Sequence, residues 1–88
     1  MTDEDIFERI QENISQIMKI KHSEITPDMY FSQELNMDSL DIMQLYYLLE
    51  NNFDINIQEI FQEVEIEKIR QVKDLVALTK KYTCMEEV

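Results

Sequence analysis

The sequence predicts an all-α domain: a small four-helix bundle with a long loop between the first and second helices and a short third helix. Three observations predict this fold. The chain has 88 residues, it contains no glycine and one proline, and its apolar residues recur at helical spacing. Tight hairpins and phosphate-binding loops need glycine, so β-sandwiches and dinucleotide-binding folds are disfavoured.

The length fits one domain, spanning residues 1–88. We expect residues 1–82 to form the folded core. The tail, residues 83–88, is expected to fray. The apolar stripes of four helices can bury one another, so a monomer is expected.

The first helix is predicted to begin near Asp3, because Thr2 and Asp5 have the spacing of a capping box. Residues 21–37 read as a long loop whose apolar side chains should lie over the core. Within this loop, Asn36 is the best residue left in a glycine-free chain for a left-handed backbone position. The apolar positions of the first helix are Ile6, Ile10, Ile14 and Ile17.

The second helix is predicted at about residues 39–52, with Asp38 as its N-cap and Asp41 in its first turn. Its apolar stripe is formed by Ile42, Leu45, Tyr46 and Leu49, and Met43, Tyr47 and Leu48 widen it. This pattern predicts a helix that is buried on much of its circumference.

Two further helices are predicted, a short one at about residues 58–68 and a longer one at about residues 70–82. His22 and Cys84 are the only histidine and cysteine, so we expect no metal site, no internal disulfide and no catalytic residue. A single cysteine favours a reducing, cytoplasmic location.

Acidic residues dominate the charge, with a formal net charge of −11. Residues 22–67 hold 11 acidic side chains and no lysine or arginine. This excludes nucleic acid as an expected partner and favours proteins with basic faces. The longest apolar run, residues 45–49, is too short to span a membrane.

The most informative stretch is residues 35–41, which read Leu-Asn-Met-Asp-Ser-Leu-Asp. It places Ser39 in the first turn of a helix, behind an acidic cap and after an apolar loop. The free backbone N–H groups and the dipole of a helix start favour an attached anion. A phosphoester on Ser39 would therefore be stabilised without lysine or arginine.

This stretch resembles the signature of the acyl carrier proteins, in which Asp-Ser-Leu opens the second helix. The resemblance continues through residues 41–57 and resumes at residues 65–72, while the first helix matches by pattern and length only. It implies that a phosphopantetheinyl transferase attaches 4′-phosphopantetheine from coenzyme A to Ser39, making the chain a phosphoprotein. The arm's thiol would carry acyl groups as thioesters, so the chain would be a carrier and not an enzyme.

The resemblance also implies that Asp38 and Leu40 flank the attachment site. Four acidic residues would dock acyl-transferring and chain-elongating enzymes through their basic faces. These four residues are Asp38, Asp41, Glu50 and Asp54.

The sequence departs from the family pattern in ways that leave the pathway open. Asn36 replaces a glycine, Gln44 replaces a frequent glutamate, and the bulk of Tyr46 and Tyr47 predicts a reshaped or smaller pocket between the second and third helices. Fatty acid biosynthesis and a specialised, polyketide-like pathway are both compatible with the signature. Two alternatives are an aminoacyl or peptidyl carrier loaded by an adenylating ligase and an unmodified helical interaction module.

Overall fold

The computed structural model describes residues 2–53, 55–63 and 68–85. Within these ranges the chain forms four α-helices and one 3₁₀ turn. Their bounds are α1 (Asp3–Met18), the 3₁₀ turn (His22–Glu24), α2 (Ser39–Phe53), α3 (Ile57–Glu63) and α4 (Val72–Met85). The predicted all-α fold, with its long first loop and short third helix, is confirmed. No helix in the described ranges has the length and apolar character needed to cross a membrane.

Local hydrogen bonds close both ends of α1. The backbone N–H of Asp5 donates to Oγ1 of Thr2 at 3.2 Å, and the N–H of Thr2 donates to Oδ2 of Asp5 at 3.3 Å. The predicted capping box is therefore present. The helix ends where Lys19 adopts a left-handed conformation (φ 58°) and donates its N–H to the carbonyl of Ser15 at 2.8 Å.

The third and fourth helices differ from their predicted bounds. α3 begins at Ile57 and is described to Glu63, whereas residues 64–67 lie outside the described residues, as do Asp54 and residues 86–88. α4 continues three residues into the tail that was predicted to fray.

The core is built around α1, which packs against both α2 and α4. Burying an aliphatic side chain stabilises a fold by roughly 1.5–3 kcal/mol, so these contacts hold the three longer helices together. The most deeply buried apolar side chains of these helices are Ile6, Ile10, Ile14, Leu45, Leu49, Val72 and Leu75.

The loop at residues 21–37 covers this core, as the sequence predicts. Backbone hydrogen bonds also fasten it to the start of α4. The N–H of Phe31 donates to the carbonyl of Arg70 at 3.0 Å, and the N–H of Val72 donates to the carbonyl of Met29 at 3.0 Å. The buried apolar side chains of the loop are Ile25, Phe31, Leu35 and Met37.

The prediction that α2 is buried on much of its circumference is wrong. Leu40, Met43 and Tyr47 are 79%, 65% and 64% exposed. The reason is geometric, because α2 packs against α1 on one side and against the seven-residue α3 on another. Met43 and Tyr47 lie at an open cleft between α2 and α3, so α3 does not cover them.

One polar contact inside the core was not predicted. Asn13 is 5% exposed, and Nδ2 of Asn52 donates to its Oδ1 at 3.1 Å. Within the described residues, Nδ2 of Asn13 is buried without a hydrogen-bond partner. The hydrogen bond links α1 to α2, whereas an unsatisfied buried donor costs about 1–3 kcal/mol and offsets that contribution.

Salt should stabilise the fold, because the net charge of −11 creates self-repulsion. The pairs Lys80–Asp3 (2.9 Å) and Lys73–Asp28 (3.4 Å) are substantially exposed and offset little of it. Raising NaCl from about 0.01 M to about 1 M shortens the Debye length from about 30 Å to about 3 Å. We expect a higher Tm at the higher concentration, measured by circular dichroism. An equal or lower Tm would contradict this expectation.

Candidate functional site

A reciprocal cap closes the start of α2. The backbone N–H of Asp41 donates to Oδ1 of Asp38 at 2.9 Å, and the N–H of Asp38 donates to Oδ2 of Asp41 at 3.2 Å. The N–H of Ile42 donates to the carbonyl of Asp38 at 3.0 Å and completes the first turn. The predicted role of Asp38 as N-cap is confirmed. Both carboxylates contribute to the structure of the turn that contains Ser39.

The chain enters this turn through a left-handed residue. Asn36 has φ 55°, as predicted for its place in a glycine-free chain. Its neighbours Leu35 and Met37 are both buried, and the N–H of Met37 donates to the carbonyl of Phe31 at 2.9 Å. Two buried side chains and one backbone hydrogen bond therefore anchor the segment that leads to Ser39.

Ser39 is exposed in the first turn of α2. The first N–H groups of a helix have no carbonyl partner within the helix, and the helix dipole adds a partial positive charge there. In the cap, the N–H of Asp41 donates to Asp38. The N–H groups of Ser39 and Leu40 belong to the same first turn and point toward the N-terminal end of the helix. A phosphate ester on the Ser39 hydroxyl would be stabilised by this field.

The structure brings some of the predicted site residues together and separates others. Asp38, Ser39 and Leu40 are consecutive and exposed, and Asp41 is half-buried beside them. Glu50 lies 11 residues beyond Ser39 on α2. At about 1.5 Å per residue, this is a rise of about 16 Å along the helix axis. The predicted docking residue Asp54 lies outside the described residues.

Glu50 has a structural contact that the sequence did not indicate. Its Oε1 accepts a hydrogen bond from the backbone N–H of Ile57 at 2.9 Å, and its side chain is half-buried. Ile57 is the first residue of α3, so this carboxylate caps a neighbouring helix. Sequence spacing alone carries no signal for such a contact, because it depends on how the chain turns between α2 and α3.

Sequence analysis also missed an exposed apolar surface. We use the term α2 stripe for Leu40, Met43 and Tyr47, the exposed large apolar side chains of the described residues. They follow one another at intervals of three and four residues, so they lie on one face of the helix. The stripe begins at the residue after Ser39.

An open cleft of about 240 Å³ lies between α2 and α3. Burial raises the pKa of Tyr46, which lines the cleft, to about 12. The cleft is lined by Met43, Tyr46, Tyr47, Glu50, Ile57 and Gln58. A larger groove of about 300 Å³ lies between α1 and α4, and no residue of α2 lines it.

The hydroxyl of Ser39 is an exposed alcohol at the start of α2. The single histidine, His22, is exposed in the 3₁₀ turn after α1. Among the residues that the structure describes, no group of three or more His, Cys, Asp or Glu side chains is placed to hold a metal ion.

The chain is similar to known proteins of one family. A family model described as "Phosphopantetheine attachment site" matches residues 8–78. The chain is 41% identical to an acyl carrier protein of Borreliella burgdorferi strain ZS7, over 92% of this chain and 96% of the relative. It is 37% identical to one of Helicobacter hepaticus, over 83% and 91%, and 32% identical to one of Guillardia theta, over 88% and 94%.

The left-handed conformation of Asn36 predicts the effect of two substitutions. Asn36→Ala should lower the free energy of unfolding by about 1 kcal/mol, because the short polar side chain of asparagine can hydrogen-bond locally at positive φ and that of alanine cannot. Asn36→Gly should preserve stability within about 0.5 kcal/mol, since glycine adopts positive φ freely. Urea unfolding would measure both.

Gln33→Ala is the matched control, because Gln33 is exposed in the same loop and its φ is not positive. It should change the free energy of unfolding by less than about 0.5 kcal/mol. Equal stability of Asn36→Ala and the wild type would contradict the argument.

Proposed function

We propose that this chain, which belongs to the acyl carrier protein family, carries acyl intermediates on a 4′-phosphopantetheine arm attached to Ser39. It is a carrier rather than a catalyst. The observation that carries the choice of Ser39 is its exposed position in the first turn of α2, behind the Asp38 cap. The thiol of the arm holds the acyl group as a thioester.

The modification fits the chemistry of this turn. The Ser39 oxygen would attack the β-phosphorus of coenzyme A, the bond to the adenosine 3′,5′-bisphosphate would break, and the serine proton would pass to a base on the transferase. The diester that forms bears one negative charge. The helix start favours that charge, and Asp38 and Leu40 flank the new bond without covering it, since both are exposed.

The α2 stripe and the nearby acids together form the docking surface in this proposal. An exposed ion pair contributes about 0.2–1 kcal/mol, whereas burying a side chain the size of leucine or methionine contributes roughly 1.5–3 kcal/mol. The stripe therefore supplies most of the affinity. Asp38 and Asp41 steer partners with basic faces and act mainly on the association rate.

Acyl groups are the cargo best supported, since the relatives compared above are named acyl carrier proteins. Fatty acid biosynthesis, and lipid metabolism more broadly, is the role we propose first, with a specialised polyketide-like pathway as the alternative. The monomeric state and the cytoplasmic location stay predictions.

Attachment at Ser39 can be tested directly. The purified chain is incubated with coenzyme A, Mg²⁺ and a broad-specificity phosphopantetheinyl transferase, and its intact mass is measured. We expect the wild type to gain one phosphopantetheine and Ser39→Ala to gain none. Ser32→Ala, at an exposed serine of the preceding loop, should be modified like the wild type.

If folded wild type gained no mass with transferases of two different types, the unmodified interaction module would become the better description. Gain of mass by Ser39→Ala would place the attachment elsewhere.

The docking surface makes a separate prediction for transferase kinetics. Tyr47→Gln should raise the KM of the transferase for this chain roughly tenfold, because an apolar contact is replaced by a polar side chain. Gln44→Ala, at an exposed position next to the α2 stripe, should change KM less than about twofold. An unchanged KM for Tyr47→Gln would remove the stripe from the docking surface.

A further inference from the structure

Two side chains accept hydrogen bonds at the start of α3, one from α2 and one from the residue before α3. Asn56 precedes the helix, and its Oδ1 accepts a hydrogen bond from the N–H of Glu59 at 3.2 Å, which is a local cap. Glu50 belongs to α2, and its Oε1 accepts from the N–H of Ile57 at 2.9 Å. A helix of seven residues is not stable in isolation, so its position depends on tertiary contacts such as this one.

The same carboxylate lies in the wall of the cleft between α2 and α3. Met43, Tyr46 and Tyr47 line the side of the cleft formed by α2, and Ile57 and Gln58 line the side formed by α3. Glu50 therefore connects the two walls through a hydrogen bond, beside the core contacts made by the buried Ile57 and Ile60. Loss of that bond would leave the first turn of α3 free to shift and the cleft free to widen.

We propose that Glu50 is a positioning residue that sets the width of this cleft and thereby the size of the acyl group that it accepts. The proposal rests on the proposed function, because it takes an acyl chain as the occupant. It also assigns Glu50 a role different from docking a basic partner. Docking needs its negative charge, whereas holding α3 needs an acceptor oxygen at the Ile57 N–H.

Two substitutions separate these roles. Glu50→Gln keeps an acceptor oxygen at the same reach and removes the charge, whereas Glu50→Ala removes both. Glu12→Ala serves as the charge-matched control, because Glu12 is exposed on α1. Amide hydrogen exchange followed by NMR reports on the contact in the chain without any attached group.

We expect the Ile57 amide to exchange roughly ten- to a hundredfold faster in Glu50→Ala than in the wild type, because its acceptor is lost. In Glu50→Gln the rate should rise less than about fivefold, and in Glu12→Ala it should not change. The Leu45 amide, in the buried part of α2, should keep its rate in all variants.

Three results would overturn the proposal: an unchanged Ile57 rate in Glu50→Ala, equal rates in the Gln and Ala variants, or equal acceleration at Leu45. The last result would mean that the variant loosens the whole fold and not the start of α3.

A second measurement addresses the cargo. Each variant is loaded by the transferase from acetyl-coenzyme A or octanoyl-coenzyme A, and the thioester is cleaved with hydroxylamine. In the wild type and in Glu50→Gln, the octanoyl thioester should react more slowly than the acetyl thioester, because the longer chain reaches the cleft. In Glu50→Ala this difference should shrink toward none.

A difference in Glu50→Ala equal to that of the wild type would overturn the link between Glu50 and cargo size. Failure of the wild type to accept either group at Ser39 would instead contradict the proposed function. The exchange experiment would still decide whether Glu50 holds α3.

Discussion

The exposure of Ser39 depends on the burial of the two residues that flank Asn36. Leu35 and Met37 are both buried in the core, and Asn36 adopts a positive φ between them. The loop behind them is also hydrogen-bonded to the start of α4. The first turn of α2 is thus fixed by apolar burial, backbone hydrogen bonds and the Asp38 cap together. A serine on such a turn is held in a defined position, which in the proposed function would present the attachment point to each partner enzyme in the same way.

The acidic residues at and near the ends of α2 accept hydrogen bonds from backbone N–H groups of the fold. The carboxylates of Asp38 and Asp41 cap each other's backbone N–H groups, and Glu50 accepts the N–H of Ile57. The segment around them, residues 22–67, holds 11 acidic side chains and no lysine or arginine. Such a segment attracts basic partners over about a Debye length but discriminates poorly among them. In the proposed function, discrimination between partners would depend on the shape of the exposed apolar side chains of α2.

The features predicted correctly are those encoded by neighbouring residues. The Thr2 capping box, the Asp38 cap and the positive φ of Asn36 each depend on side chains within three positions of one another. The exposure of Tyr47 could not be predicted in this way, because an apolar stripe does not reveal which neighbouring helix covers it. The contact of Glu50 with α3 depends on the path of the chain after α2, and that path is set by tertiary packing.

The turn that contains Ser39 and the start of α3 are held in different ways. Ser39 follows a segment held by several independent contacts, whereas the start of α3 is held by the Glu50 hydrogen bond to α2 and by the burial of Ile57 and Ile60 in the core. Opening one hydrogen bond costs about 0.5–1.5 kcal/mol net, or up to about 3 kcal/mol where the acceptor is charged, far less than separating the buried isoleucines of α1 from the core. In the proposed function, a group entering the cleft would shift the start of α3 and leave the turn that holds Ser39 in place. The attachment point would then stay fixed while the cargo varies in size.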